Sequence, residues 1–260
     1  MLNLVSIITP LYNSSDYIEE TIQSVLAQTY SCWEMIVVDD CSKDKSLAIV
    51  KSYIQKDSRI KIIQLEKNSG AAVARNAAIE SATGRFIAFL DSDDLWHPKK
   101  LENQIAFMLD NDVAFSYTAY EKIDENGCVF EKIGIPQKIN YRGLLKTCVI
   151  GCLTAIYDTN KFGKVYMPLT TKREDFATWL NILKQVDYAY GEPEILAQYR
   201  VYANQSSSEK IKMASENWRL YRDIEKINLL RASYYFSHYA VRGILRAKFP
   251  NLARMLGVLG

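Results

Sequence analysis

The chain has 260 residues, 48% of them hydrophobic and 24% charged, which are the values of an ordinary globular protein large enough to bury its own core. A net charge of +2 gives no indication of a nucleic-acid partner, and two histidines leave little room for a histidine metal cluster. Five cysteines without regular spacing argue against a disulfide framework and favour a reducing cytosol, and no apolar run approaches the ~20 residues that span a bilayer.

The first 110 residues alternate short apolar runs with amphipathic segments. Residues 4–9 form the first run, and their position indicates a core strand rather than a signal peptide. A capping box that begins at Asp16 predicts the start of the first helix, and Ser42 can cap the second. Further strands are predicted at residues 34–38, 60–65 and 85–90.

This alternation predicts an α/β fold, in which a parallel sheet is covered by helices on both faces and the crossovers are right-handed. Ligands bind such sheets at the carboxyl ends of the strands. In this chain polar residues collect at those ends, at residues 10–13, 39–40, 68–70 and 91–94. The sequence therefore predicts a ligand site at this edge of the sheet.

After residue 112 the alternation loosens. Further elements are predicted as strands at 113–120 and 150–157, an amphipathic helix at 173–186, and extended chain at 188–199. From residue 208 to the end the pattern is helical. We expect the segments 1–112 and 113–207 to share one core, followed by a helical extension at 208–260.

An acidic sequence, Asp91-Ser92-Asp93-Asp94, follows the fourth predicted strand. Residues two apart in an extended chain face the same way, so Asp91 and Asp93 project together. Neighbouring carboxylates repel unless a cation lies between them, and Mg²⁺ typically takes one or two carboxylates plus phosphate oxygens. The motif indicates a divalent metal site that uses Mn²⁺ or Mg²⁺. A solvated acidic turn is the alternative.

Three other polar positions suggest binding or proton transfer. Asp40 ends a strand where it could accept hydrogen bonds from a ribose or a base, or could cap the next helix. Arg75 lies in an alanine-rich helix, where a diphosphate or an acidic residue would hold it, although a surface arginine fits equally well. Asp175 could deprotonate a hydroxyl, or could simply favour the first turn of its helix.

Several blocks follow one another in an order typical of one family. They are Val5-Ser6-Ile7-Ile8-Thr9-Pro10-Leu11-Tyr12-Asn13, Val37-Val38-Asp39-Asp40-Cys41-Ser42-Lys43-Asp44, Asn68-Ser69-Gly70 with Ala74-Arg75-Asn76, Asp91-Ser92-Asp93-Asp94, and Lys172-Arg173-Glu174-Asp175-Phe176. In this order they resemble glycosyltransferase family 2, a large inverting family with the Rossmann-like GT-A fold. The resemblance is close over residues 4 to 110. It implies a nucleotide-sugar-binding half at 1–112 and an acceptor-binding half at 113–207.

The resemblance also implies a role for each matching residue. Asp93 would hold the metal and Asp175 would be the catalytic base. Tyr202 stands where the family often has a histidine, so a metal-ligand role there lacks support. Asp40 would read a uracil edge. The residues implied for binding the donor nucleotide sugar are Pro10, Tyr12, Asp40, Arg75, Asp91 and Ser92, with Arg75 near the diphosphate or Asp91.

The substrate class follows from the same resemblance. Processive members carry a Gln-x-x-Arg-Trp motif and membrane helices, and this sequence has neither, which favours transfer of a single sugar. The expected donor is a UDP-sugar. The expected acceptor is a polyprenyl-diphosphate-linked saccharide in O-antigen, capsule or lipopolysaccharide assembly, in the cytoplasm or at the inner face of the cytoplasmic membrane. The alternative is a catalytically silent nucleotide-binding module of the same fold.

The C-terminal segment 226–260 contains six Lys or Arg and no Asp or Glu. Arg231, Arg242 and Arg246 fall on about one helical face, and aromatic residues supply apolar surface. This composition suits an anionic membrane surface, at ~1 kcal/mol for each basic residue near it. A helix that packs on the protein body with its basic side in solvent is the alternative.

Overall fold

The computed structural model describes residues 3–202 and 210–248. The strands of these residues are Val5–Leu11 (β1), Trp33–Asp39 (β2), Ile60–Gln64 (β3), Phe86–Phe89 (β4), Leu95–Trp96 (β5), Phe115–Ile123 (β6), Val129–Ile133 (β7), Lys138–Ile139 (β8), Ile156–Asp158 (β9) and Ala189–Arg200 (β10). The helices are Ile18–Leu26 (α1), Ser46–Ile54 (α2), Ala71–Ser81 (α3), Lys100–Asp110 (α4), Tyr141–Lys146 (α5), Thr159–Phe162 (α6), Glu174–Ile182 (α7), Lys210–Arg219 (α8) and Leu229–Lys248 (α9).

The strands form one sheet in the order β3-β2-β1-β4-β9-β6-β10-β5, with β7 paired to β6 and β8 paired to β10. Strands β1 to β4, β6 and β10 run in one direction, and β9 lies antiparallel between β4 and β6. The predicted α/β class with a mostly parallel central sheet is therefore confirmed. Because Leu11 pairs with Asp39 and Ile8 pairs with Phe89, the loops after β1, β2 and β4 meet at one edge.

Apolar side chains from helices cover both faces of the sheet. On one face Ile22 of α1 and Leu101 of α4 are fully buried. On the other face Ala74 of α3 and Trp179 of α7 are fully buried. Burial of each large apolar side chain stabilises the fold by roughly 1.5–3 kcal/mol. The small alanines allow α3 to contact β1 and β2 closely, which brings its polar residues to the edge of the sheet.

The starts of the first two helices differ from the prediction. Helix α1 begins at Ile18 without a side-chain cap, so the predicted capping box at Asp16 is wrong. Helix α2 begins at Ser46, and Ser42 does not cap it. The Ser42 hydroxyl instead accepts a hydrogen bond from the backbone N–H of Asn13 at 3.1 Å. A polar residue that resembles a cap therefore connects the loops that follow β1 and β2.

The helices after β10 pack against α5 and against one another. The Tyr221 hydroxyl donates to the backbone carbonyl of Leu145 at 2.6 Å, and Ala232 of α9 is fully buried. No helix among the described residues is long and apolar enough to cross a bilayer. Residues 1–2, 203–209 and 249–260 lie outside the described residues, and the division of the chain at 112 and 207 stays a prediction.

The buried carboxylate of Glu34 on β2 contacts side chains of β1 and β3, at the edge of the sheet opposite the predicted ligand site. Glu34 Oε1 accepts hydrogen bonds from the Ser6 hydroxyl at 2.6 Å and from the Thr83 backbone N–H at 2.7 Å, and Lys61 Nζ lies 2.6 Å from Oε2. The Ser6 hydroxyl also accepts the Gly84 N–H. Burial opposes the charged form of Glu34, but the hydrogen bonds from Lys61, Ser6 and Thr83 outweigh it and lower the pKa of Glu34 to about 2.

Stability should depend on the ionisation of Glu34. Because the folded-state pKa is lowered, this stabilisation is fully present above the ordinary pKa of 4.5 and is lost as pH falls through about 2. We expect Glu34→Gln to cost about 2–3 kcal/mol of unfolding free energy at neutral pH and almost nothing near pH 2. Urea unfolding across this range measures the difference. The exposed Glu66→Gln is the control, and a gap that does not change with pH would contradict the assignment.

Candidate active site

A cleft of about 500 Å³ lies beside the carboxyl end of β4. Its wall includes charged residues from the turn after β4, from α3, from the start of α7 and from α9, together with apolar residues of β6, β7, β8 and the segment 147–153. The charged members are Arg75, Asp91, Asp94, Arg173, Asp175 and Arg242. The cleft therefore brings together three of the predicted site residues, Arg75, Asp91 and Asp175.

Arg75 of α3 contacts both the turn after β4 and the start of α7. Its guanidinium donates to Asp91 Oδ1 at 2.6 Å and to Glu174 Oε1 at 3.1 Å, and the arginine side chain is only 8% exposed. Burial alone would lower the pKa of Arg75, but Asp91 and Glu174 outweigh it and hold the pKa well above its usual value. Of the two positions that the sequence left open for Arg75, the structure gives the contact with Asp91.

The acidic turn after β4 concentrates negative charge. Burial, followed by the charge of Asp91, raises the pKa of Asp93. Burial together with Asp93 and Asp91 raises the pKa of Asp94 well above its usual value. The Ser92 hydroxyl lies 2.8 Å from the hydroxyl of Ser14 in the loop after β1. Ser92 and Asp93 belong to this turn but are not among the residues that line the cleft.

Arg200 supports the acidic turn, and sequence reasoning did not select it. Its backbone N–H donates to Asp94 Oδ1 at 3.0 Å, and its Nε donates to the carbonyl oxygen of Asp93 at 3.0 Å. The Tyr202 hydroxyl donates to Asp93 Oδ2 at 2.9 Å, and its ring stacks on Tyr17 with 5.7 Å between centroids. The available signal for Arg200 was its position two residues before Tyr202.

The predicted nucleoside residues lie at the ends of β1 and β2 and in the loops that follow. Pro10 is near the end of β1, and Tyr12 just after this strand is 48% exposed. Asp40 is buried, and its two carboxylate oxygens accept the backbone N–H groups of Ser69 and Gly70, both at 2.7 Å. Asp40 thus fixes the loop that begins α3. Each oxygen keeps a lone pair, so contact with a base stays a prediction.

Asp175 lies in the first turn of α7 and lines the cleft. Its Oδ1 accepts the backbone N–H of Phe176 at 2.7 Å. Glu174, which the sequence analysis did not select, is the residue that contacts Arg75. Burial raises the pKa of Glu174, although the charge of Arg75 opposes the increase. Its position directly before Asp175 in the same block was the available signal.

The acidic turn suits a divalent cation only when phosphate oxygens of a bound substrate complete its coordination. No group of three or more His, Cys, Asp or Glu in the described part of the chain could hold a metal ion by itself. Mg²⁺ and Mn²⁺ are commonly held by one or two carboxylates and by phosphate oxygens of the substrate. Asp91 and Asp93, whose charges repel, would provide the two carboxylates. The residues present therefore fit a metal that binds with a diphosphate.

A mostly parallel sheet with an Asp-Ser-Asp-Asp turn after β4, next to a cleft, is the arrangement of a GT-A glycosyltransferase. The model of the family described as "Glycosyl transferase family 2" matches residues 6–157. The chain belongs to glycosyltransferase family 2, as its motifs predicted.

Named relatives cover nearly the whole chain. A protein of Bacillus subtilis (strain 168), provisionally named the teichuronic acid biosynthesis glycosyltransferase TuaG, is 47% identical over 93% of this chain and 96% of its own. The Escherichia coli UDP-Glc:alpha-D-GlcNAc-diphosphoundecaprenol beta-1,3-glucosyltransferase WfgD is 44% identical over 95% of this chain and 96% of its own. The crystal structure of S. aureus TarS 1-349 in complex with UDP has a TM-score of 0.67 and 25% identity, over 94% of this chain and 72% of that one.

Proposed function

We propose that the protein is an inverting glycosyltransferase that moves one sugar from a UDP-sugar to a hydroxyl of a saccharide acceptor. The observation that supports this function is the cleft, whose wall contains both the Arg75–Asp91 pair and Asp175. A leaving group and an attacking hydroxyl must be held close together for transfer. A cleft bordered by a donor-side acid and by a candidate base meets that requirement.

The loops after β1, β2 and β4 form the proposed donor site. The exposed Tyr12 ring offers a face to the nucleobase, and Asp40 lies at the end of the neighbouring strand. The TarS crystal structure is a complex with UDP, and the name of WfgD specifies UDP-Glc, so both relatives support a uridine nucleotide. The residues assigned to the donor are Pro10, Tyr12, Asp40, Arg75, Asp91 and Ser92.

Mn²⁺ or Mg²⁺ is the proposed cofactor, held by Asp93 beside Asp91. When bound, the cation neutralises charge on the departing diphosphate. Tyr202 fixes the orientation of Asp93, the residue that would hold the metal, through its hydrogen bond to Oδ2. Arg75 restrains Asp91 in the same way, because it binds only Oδ1.

Asp175 is the proposed general base. It removes the proton from the acceptor hydroxyl, whose oxygen forms a bond to the anomeric carbon of the donor sugar. The bond from that carbon to the diphosphate oxygen breaks, and its electron pair leaves with the nucleoside diphosphate. Because the attack comes from the face opposite the diphosphate, an α-linked donor gives a β-linked product.

The proposed acceptor is a saccharide linked through diphosphate to a polyprenyl lipid, in O-antigen, capsule or lipopolysaccharide assembly at the cytoplasmic face of the membrane. The diphosphoundecaprenol acceptor in the name of WfgD supports this class. A silent nucleotide-binding module is the alternative, and it would bind the donor without turnover. Turnover by the wild-type protein separates the two.

Replacement of the base should remove turnover without removing donor binding. We expect Asp175→Asn to lower kcat by about 10²- to 10⁴-fold, because its amide cannot accept the proton. Release of UDP from a UDP-sugar in the presence of acceptor measures kcat, and calorimetry measures donor affinity. The exposed Asp110→Asn on α4 is the matched control. Turnover retained in Asp175→Asn would reject the base assignment, and no turnover in the wild-type protein would favour the silent module.

Donor binding should require a divalent cation and Asp93. With a UDP-sugar at about 100 times its Kd, mass action predicts roughly 5–10 °C of thermal stabilisation in the presence of Mn²⁺. Asp93→Ala should abolish the metal-dependent part, while Asp110→Ala should keep it. A thermal-shift series with and without Mn²⁺ measures both effects. An equal shift with a chelator present would show that the donor binds without metal.

We also propose that α9 contacts an anionic membrane surface. The helix packs its inner face on the protein body, and three large residues remain outward on one face: Leu230, Tyr234 and Val241 are 85%, 50% and 55% exposed. Lys226 and Arg231 are exposed beside them. An apolar stripe next to cations is the pattern of an interfacial helix. Arg242, which the sequence predicts on the same face as Arg231, lines the cleft. The side chains of residues 244 and 246–248, Arg246 among them, and all of residues 249–260 lie outside the described part of the chain.

Membrane binding should depend on the outward stripe of α9. We expect the double variant Leu230→Glu with Tyr234→Glu to bind phosphatidylglycerol vesicles at least roughly tenfold more weakly, because it loses apolar burial and adds repulsion. Vesicle co-sedimentation of the full chain measures this. The exposed pair Val129→Glu with Phe130→Glu on β7 is the control. Equal loss in both double variants, or no loss in either, would contradict the assignment.

A further inference from the structure

Arg173 lies directly before α7, and its side chain lines the cleft. Its Nε atom is buried and has no hydrogen-bond partner. Among residues 3–202 and 210–248, Arg173 forms no ion pair, and the carboxylate whose charge acts on it is that of Asp175. Asp175, two residues along the chain, directs its Oδ1 to the N–H of Phe176 instead. Arg173 is therefore a cation of the cleft wall that forms no ion pair with the described part of the chain.

Another arginine of the same wall is paired within the protein. Arg75 is matched by Asp91 at 2.6 Å and by Glu174 at 3.1 Å, so its charge is already satisfied within the protein. A cation removed from water is costly unless an opposite charge is bound to it. A guanidinium without an ion pair in a cleft is the arrangement expected where a ligand supplies the negative charge.

The surroundings of Arg173 belong to the acceptor side of the molecule. Burial lowers the pKa of Arg173, but Cys148, Asp175, Tyr239 and Tyr221 outweigh it and raise the pKa above its usual value. The Phe176 ring lies 5.3 Å from the Cζ atom of Arg173. The loops after β1 and β2, which hold the proposed nucleoside residues, do not line this cleft. The two proposed donor residues that do line it, Arg75 and Asp91, are paired with each other, which favours an anion of the acceptor at Arg173.

We propose that Arg173 binds the diphosphate that links the acceptor saccharide to its lipid, an inference that rests on the function proposed above. A guanidinium offers parallel N–H donors that match two phosphate oxygens. Because Asp175 is two residues away, a diphosphate on Arg173 holds the first acceptor sugar beside the base. The subsite selects acceptors by the charge next to the sugar.

Two acceptors that differ only in this charge test the proposal. Both carry N-acetylglucosamine on the same short alkyl chain, one through an α-diphosphate and the other through a single oxygen. We expect Arg173→Gln to raise the KM of the diphosphate acceptor about 10- to 100-fold, the value for a lost charge-assisted hydrogen bond. The KM of the neutral acceptor and of the UDP-sugar should stay within about twofold. Where the neutral acceptor turns over too slowly, its inhibition constant replaces KM.

The neighbouring cation provides the control. Lys172 is exposed and precedes Arg173, so Lys172→Gln removes the same charge one residue away and should leave every KM unchanged. An equal rise in KM for both acceptors in Arg173→Gln would overturn the subsite, as would a rise confined to the UDP-sugar, which would assign Arg173 to the donor. Absence of transfer from wild-type protein to either acceptor would reject the proposed acceptor class, and the subsite with it.

The melting temperature of Arg173→Gln distinguishes a ligand-binding role of Arg173 from a structural one. Because Arg173 forms no ion pair in the described part of the chain, Arg173→Gln should lower the Tm of the free protein by no more than about 2 °C. The diphosphate acceptor should raise the Tm of the wild-type protein more than that of Arg173→Gln. A variant that melts several degrees lower than the wild type would show that the guanidinium serves the fold and would contradict the proposal.

Discussion

A single guanidinium holds together three elements that lie far apart in the sequence. Arg75 belongs to α3, Asp91 follows β4, and Glu174 begins α7, and all three meet in one ion-pair cluster at the cleft wall. Removal of any one of these three side chains would leave a buried charge without its ion-pair partner. Asp175, the proposed base, directly follows Glu174. The arginine that orients Asp91 therefore also helps to set the position of Asp175. The two halves of the site therefore depend on the same interaction.

The charged side chains of the site that lie outside this ion-pair cluster are complementary to the proposed substrates. Asp93 and Asp94 have raised pKa values because burial and neighbouring carboxylates disfavour their ionised forms, even though Arg200 lies against them. That excess of negative charge suits a cation that arrives with a diphosphate. On the acceptor side, Arg173 provides a cation that forms no ion pair within the described residues. In the proposed function, the cleft and the adjoining acidic turn combine a cation subsite with an anion subsite, and the proposed base, Asp175, is two residues from Arg173.

Sequence reasoning succeeded where a pattern is local and repeated. The apolar runs predicted β1 and β4, and the Asp-x-Asp turn and the family blocks placed Asp91 and Asp175 near one edge of the sheet. It failed where a polar side chain has two possible partners: local patterns predict caps at Asp16 and Ser42, although Ser42 joins the loops that follow two strands. Partners distant in the sequence, such as Glu174 for Arg75, follow from the packing of α3 against the sheet, which no local pattern specifies.

The most direct measurement is a double-mutant cycle on the Arg75–Glu174 contact, read as unfolding free energy, because it needs no substrate. We predict that Arg75→Met costs about 2–3 kcal/mol, and that the losses from Arg75→Met and Glu174→Gln are non-additive by about 1 kcal/mol or more. Losses that add within about 0.5 kcal/mol would show that the guanidinium and the start of α7 are not coupled. The link between donor carboxylate and base would then be wrong.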